Sequence, residues 1–213
     1  MNNQNNLEKS HNQGQKENEV YQGVGSFIFE VIKIVFIAFL IFAPIRFLVF
    51  QPFFVQGASM EPNFENSEYL IINELGYKEI SLGEDGKFFQ VGPFRELERG
   101  WPVVFQYPKN NNQYFIKRII GLPGEKVEVR DGQVAIYNTE NPEGFVLDES
   151  DYLEPYIQTT GDLIIQLEDD EYFVMGDNRM FSSDSRSWGP VKKSDIVGKV
   201  LIRAWPLSRM TVF

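Results

Sequence analysis

Lys126-Val127-Glu128-Val129-Arg130, then Asp131-Gly132, then Gln133-Val134-Ala135-Ile136-Tyr137 is the passage on which the reading of the fold turns. Apolar and polar side chains alternate on either side of the Asp-Gly pair, the pattern of strands with one face buried. Asp-Gly supplies the positive φ that a tight two-residue turn demands, so the passage predicts a β-hairpin. Working outward, short runs rich in Val, Ile, Phe and Tyr recur at 53–56, 69–72, 103–107, 114–120, 162–167, 171–175 and 196–205, and the second arm of the hairpin reaches residue 138. Glycine, proline, Asn or Asp separates many of them, as expected of strands. No long amphipathic helix is legible after residue 50. Residues 78–100, Gly-rich and charged, read as a surface loop or excursion. The expectation is a mostly β domain over 51–213.

Upstream, residues 31–50 carry only Lys33 and Arg46 as charges. Twenty helical residues at ~1.5 Å each span ~30 Å, the thickness of a bilayer's hydrocarbon core. Both charges lie near the ends, where long side chains snorkel to the headgroups. Two other readings compete. The uninterrupted run from Ile34 to Ile45 is short enough for a buried core helix, and an apolar run near the N-terminus also suits a cleaved secretory signal. Against the signal, Pro44-Ile45-Arg46 follows the run instead of a small-x-small exit. A retained transmembrane helix over 25–50 is the preferred reading. Residues 1–24, rich in Asn, Gln, Glu and Lys, bury too little to fold and are expected to be a disordered tail. Lys9, Lys16 and Lys33 lie on the N-terminal side, and after Arg46 the next positive residue is Lys78. The positive-inside rule then puts the tail in the cytoplasm and the β-domain outside.

Composition removes whole classes of chemistry. The chain has no cysteine, so disulfides, thiolate nucleophiles and Cys-ligated zinc are excluded. Its one histidine, His11, lies in the polar tail. No His-based triad or His-rich metal site can form in the folded part, and acid–base work must fall to Lys, Tyr, Asp or Glu. Net charge is −10. Residues 1–50 balance four Lys/Arg against four Asp/Glu, which leaves 16 against 26 in the remainder. No basic cluster stands out there, which argues against nucleic acid as a partner.

Three segments stand apart. In Gly57-Ala58-Ser59-Met60-Glu61-Pro62 a serine sits on a turn between small residues and a proline. Most such turns are only turns. In Tyr114-Phe115-Ile116-Lys117-Arg118-Ile119-Ile120, strand alternation puts Lys117 on one face with Phe115 and Ile119, and Arg118 on the other. Burial between large apolar neighbours would push the amine toward neutrality, so that it could take a proton from a hydroxyl. The same pattern also fits an edge-strand lysine facing solvent. The segment 176–190 is a dense polar turn between apolar runs, in which Asp184 and Arg186, or Asp177 and Arg179, could pair and fix the loop.

Together, in this order and after an apolar span, the three segments resemble those of bacterial type I signal peptidases. Ser59 to Pro62 is similar to the family's Ser-Met-x-Pro box, and Lys117 to Gly124 to its Lys-Arg-x-x-Gly-x-Pro-Gly box. Gly176 to Gly189 is similar to its C-terminal box around Gly-Asp-Asn-Arg and Ser-x-Asp-Ser-Arg. The resemblance covers roughly residues 30–205. It implies an antiparallel β-sheet or barrel catalytic domain behind one transmembrane helix, a Ser-Lys dyad, and no cofactor or metal. Ser59 matches the nucleophile, Lys117 the general base, and Ser182 the serine whose hydroxyl orients the amine. Asp184 and Arg186 match a structural ion pair beside the site. The Ser59 N–H matches one oxyanion donor. Phe54, Val55, Gln56, Gly57, Met60, Phe115 and Ile116 are the expected substrate-binding residues. The implied partners are preprotein signal peptides and the lipid bilayer, and the implied place is the plasma membrane, single-pass, with the catalytic domain extracytoplasmic. Gly57 stands where some members carry a serine that completes the oxyanion hole. Trp101-Pro102 and Met180-Phe181 also depart from the family's usual residues. A self-cleaving Ser-Lys repressor is the enzyme alternative, but it needs an internal scissile site and usually a DNA-binding domain. A tethered peptide-binding domain without activity is the other, and the joint presence of Ser59, Lys117 and Ser182 speaks against it.

Overall fold

Helix α1 covers Ser26–Ala43, an apolar stretch whose only charges are Glu30 and Lys33. Its 18 residues reach ~27 Å, long enough to cross a bilayer's hydrocarbon core. Its large apolar side chains, Phe27, Phe29, Ile34, Val35, Phe39 and Phe42 among them, are exposed. The computed structural model describes residues 26–43, 50–78, 80–82 and 89–213. The tail at 1–24 and the Pro44-Ile45-Arg46 exit therefore lie outside the described residues. Phe50, placed at the end of the span by its apolarity, instead opens the first strand.

The second unit, from residue 48 onward, is mostly antiparallel β. Its main sheet contains β1 (Phe50–Phe54), β2 (Tyr69–Asn73), β5 (Pro102–Tyr107), β6 (Asn110–Gly121), β11 (Glu171–Met175), β12 (Val191–Lys192), β13 (Ile196–Trp205) and β14 (Thr211–Val212). The strands run in the order β1-β2-β13-β5-β6-β11-β12, with β14 on β13. A second sheet has the order β10-β7-β8-β9, from Leu163–Gln166, Lys126–Arg130, Gln133–Tyr137 and Phe145–Val146. Here the Asp-Gly hairpin forms as expected: Arg130 pairs with Gln133, and Asp131 and Gly132 take φ of 53° and 81°. Val127, Val129, Val134 and Ile136 point inward and share a buried cluster with Ile120, Phe173 and Met175 of the main sheet. Alternation thus becomes the layer that joins the two sheets.

The span 78–100 departs from its reading as a loop. Ile80–Leu82 (β3) and Phe89–Val91 (β4) pair there as a small antiparallel hairpin. Three-residue strands are too short to show a period in sequence. Trp101-Pro102 finds its place at the head of β5. Proline at the first strand residue costs no interior ladder donor, and the Trp101 ring lies 3.8 Å beneath the Lys199 ammonium.

One feature of the main sheet positions everything that follows. β6 pairs with β5 from Tyr114 to Arg118, but its partnership with β11 begins only at Arg118. Its other edge at 114–117 is therefore open. β1 pairs with β2 on one side only. The sheet curls until these two free edges approach, and the Phe53 and Tyr114 rings meet edge to face at 5.5 Å. The result is a barrel-like sheet with an unclosed seam.

Candidate active site

The seam forms a cleft of about 550 Å³. Residues 53–59 form one wall and 114–117 the other. Ser59 sits where the β1 wall turns away, just past the small pair Gly57-Ala58. Lys117 is the last residue of β6 before its open edge is covered by β11. Two short-range patterns separated by 58 residues thus converge, and Lys117 Nζ lies 2.7 Å from Ser59 Oγ.

Lys117 is buried, not an edge lysine facing solvent: only 4% of it is exposed. Ile119, on its own face of the strand, belongs to the core cluster around Phe105 and Ile196, and Phe115 on the same face packs against it. Burial pushes its pKa from the ordinary 10.5 down to about 8, against the opposing pull of Asp184 and Asp177. Each of those carboxylates is held by an arginine. Asp184 receives Arg186 Nε and Nη2, both at 2.8 Å. Asp177 receives Arg118 Nε at 2.8 Å and Nη2 at 2.6 Å. These bidentate pairs offset the negative charge that would otherwise keep the lysine protonated. Burial works to raise the Asp184 carboxyl, but Arg186, the Gly176 N–H and the nearby Ser182 hydroxyl hold it below the usual carboxylate range.

The pairing options left open in the sequence resolve unevenly. Asp184 does pair with Arg186. Asp177 pairs with Arg118, not with Arg179, whose guanidinium binds Glu149 and Thr159. The Arg118 guanidinium also lies 4.2 Å from the Tyr152 ring centroid, tying the 148–160 segment to the strand that carries Lys117.

The expected hydrogen bond from Lys117 to Ser182 is absent. Ser182 Oγ is buried and makes no hydrogen bond of normal geometry among the described residues, although it lies beside Asp184. The amine donates instead to the Ile116 carbonyl at 2.8 Å. When the amine is neutral, that bond still uses one N–H and leaves the lone pair free to accept the Ser59 O–H. Gly176 packs against the same region, and a Cβ there would collide with the Ser59 carbonyl and the Ser182 hydroxyl.

Of the expected substrate-binding residues, Phe54, Val55, Gln56, Gly57, Phe115 and Ile116 line the cleft. Met60 does not. It is buried with Val55, Phe64 and Leu70 in a core cluster, because the turn after Ser59 folds its side chain beneath the β1 wall. Phe181 and Ser183 line the cleft as well. The departure at Met180-Phe181 signals Phe181 in sequence, and nothing there singles out Ser183. Among the described residues, no group of three or more His, Asp or Glu side chains could hold a metal ion.

The family model described as signal peptidase, peptidase S26, matches residues 28–205. Signal peptidase I P of Bacillus subtilis subsp. natto is 35% identical, over 86% of this chain and 92% of its own. Signal peptidase I of Bacillus caldolyticus is 32% identical, over 82% of this chain and 90% of its own. Among solved structures, a signal peptidase I from Enterococcus faecalis is 32% identical, with a TM-score of 0.40, over 49% of this chain and 97% of that one.

Proposed function

The chain belongs to the signal peptidase family, peptidase S26, and from that premise we propose that it is a membrane-anchored serine endopeptidase that cuts N-terminal signal peptides from exported preproteins after small-x-small motifs. The observation that carries this reading is the 2.7 Å approach of Lys117 Nζ to Ser59 Oγ at the end of an open seam. Neutral Lys117 accepts the Ser59 proton as Oγ attacks the scissile carbonyl. The carbonyl oxygen becomes negative within reach of the Ser59 N–H. The ammonium returns its proton to the leaving amine. The acyl-enzyme is then hydrolysed by a water that the same amine deprotonates.

The seam accounts for the form of the substrate. An extended peptide inserted between two free strand edges gains backbone hydrogen bonds from both. Alternation then turns the residues one and three before the scissile bond toward the same face. Val55 and Ile116, packed in one cluster with Leu70 and Val104, crowd that face, leaving room for Ala, Gly or Ser. The test is a preprotein series varied at those two positions, with products identified by mass spectrometry. An Ala-x-Ala substrate is expected to be cleaved and one with Leu at either position is not. Equal cleavage of both would overturn the specificity.

Helix α1 serves as the single anchor, and the Lys/Arg asymmetry orients residues 1–24 to the cytoplasm and 51–213 to the outside. Protease added to spheroplasts is expected to degrade the β-domain and spare a tag at Met1. The opposite pattern would refute this orientation.

A further inference from the structure

Asn178 makes two hydrogen bonds to the backbone around Ser59. Its Nδ2 donates to the Ala58 carbonyl at 3.0 Å, and its own N–H donates to the Ser59 carbonyl at 3.1 Å. The side-chain atom at Ala58 is defined by chemistry, since a carbonyl there accepts only from the amide nitrogen. The Ala58 C=O and the Ser59 N–H belong to one planar trans peptide unit, so they point in opposite directions. A bond that draws the carbonyl toward the 176–178 turn therefore aims the N–H the other way. The Ser59 N–H has no acceptor among the described residues, and Ser59 lines the cleft. Accepting a hydrogen bond at the carbonyl also polarises the N–H of the same unit.

We propose that Asn178 is a positioning residue, which aims and strengthens the Ser59 N–H as the donor to the negative oxygen formed in catalysis. The inference rests on Ser59 being the nucleophile. Among the described residues, the Ala58 carbonyl has one other partner, the Glu61 N–H at 3.2 Å. That bond lies within the turn itself and moves with it. Asn178 is the tie to a separate element, anchored by the buried Asp177 and Arg179 on either side. Gly57 brings no side-chain donor to the oxygen, so the aim of the one backbone donor matters more in this chain.

The experiment uses full-length protein in detergent. Removing an oxyanion donor costs on the order of 10²–10³-fold in kcat. Misaiming one that is still present is expected to cost about tenfold to a hundredfold. Asn178→Ala should lower kcat by that factor, with KM changed less than about twofold and the midpoint of the pH profile unmoved. A peptide aldehyde should lose affinity in parallel with kcat. Its carbonyl carbon bonds to Ser59 Oγ, Lys117 takes the hydroxyl proton, and the former carbonyl oxygen carries the charge. A reduced-amide peptide, with CH2–NH in place of the scissile amide, should bind unchanged. Asn178→Asp keeps the shape but cannot donate to Ala58, and it should lose at least as much while keeping the wild-type circular dichroism. Wild-type kcat in either variant overturns the proposal. So does a shifted pH midpoint in Asn178→Ala, which would place the effect on Lys117, or equal losses for aldehyde and reduced amide, which would place it on the groove. Absence of cleavage by the wild type, with Ser59→Ala as blank, overturns the underlying reading instead, and this inference with it.

Discussion

Ser59→Ala and Lys117→Ala are each expected to abolish turnover, by on the order of 10⁴-fold or more, with the double variant no slower than either single. A nucleophile and its base act as one unit, so under the proposed dyad the second removal has nothing left to remove. The geometry makes the coupling specific: Lys117 Nζ is 2.7 Å from Ser59 Oγ and is further held by Ile116 O. A second readout separates chemistry from folding. At neutral pH the protein holds an ammonium in a site that lowers its pKa from 10.5 to about 8, a penalty of about 3 kcal/mol. Between pH 8 and 10.5 the unfolded chain binds more protons than the folded one, so stability rises with pH across that window, and below pH 8 the full penalty applies. Lys117→Met should therefore be inactive yet melt at a higher temperature at pH 7, and should lose the extra stabilisation on the alkaline side. Cleavage by purified Ser59→Ala would remove the dyad assignment. A Lys117→Met protein that melts below the wild type would contradict the buried-ammonium account.

The rate of cleavage is expected to climb about tenfold per pH unit from pH 6 and to level off above about pH 8. In the proposed mechanism the active species is the neutral amine. With a pKa of about 8, its fraction falls to roughly one part in a hundred at pH 6. No histidine is available to flatten this profile, since His11 lies in the N-terminal tail. Because Asp184 and Asp177 pull the pKa upward, releasing the Asp184 charge by Arg186→Met should move the midpoint to higher pH. kcat/KM measured between pH 5.5 and 10 on one Ala-x-Ala preprotein tests both. A flat profile would exclude Lys117 as the base.

Several features could be read without the fold because they are local. Alternation at 126–130 and 133–137 with Asp-Gly between them is a hairpin wherever it occurs, since side-chain direction and turn φ belong to neighbouring residues. The apolar run now seen as α1 could be read from composition and length. The alternation of Phe115, Lys117 and Ile119 likewise pointed to a lysine among apolar neighbours, although it did not exclude the edge position.

What sequence left open depended on which strands become neighbours. Hairpin 80–82/89–91 is too short for any period to register. Met60 lies beside Ser59 in the chain and in a motif with it, yet the turn sends it into the core. Asp177 had Arg179 two residues away, but took Arg118 from another strand, because β6 and β11 pair with Met175 opposite Arg118. The Ile116 carbonyl, which holds the amine where Ser182 was expected to, is a backbone atom and leaves no mark in any residue pattern. The cleft itself belongs to no segment. By itself the sequence determined where most of the longer strands and an apolar helix lie and that acid–base work falls to Lys, Tyr, Asp or Glu, because those follow from composition and the nearest few side chains. Only the tertiary structure decided that β6 gains its second partner at Arg118 and that β1 curls back to face the bare edge before it, because strand register and sheet curvature arise from pairings between residues far apart in the chain.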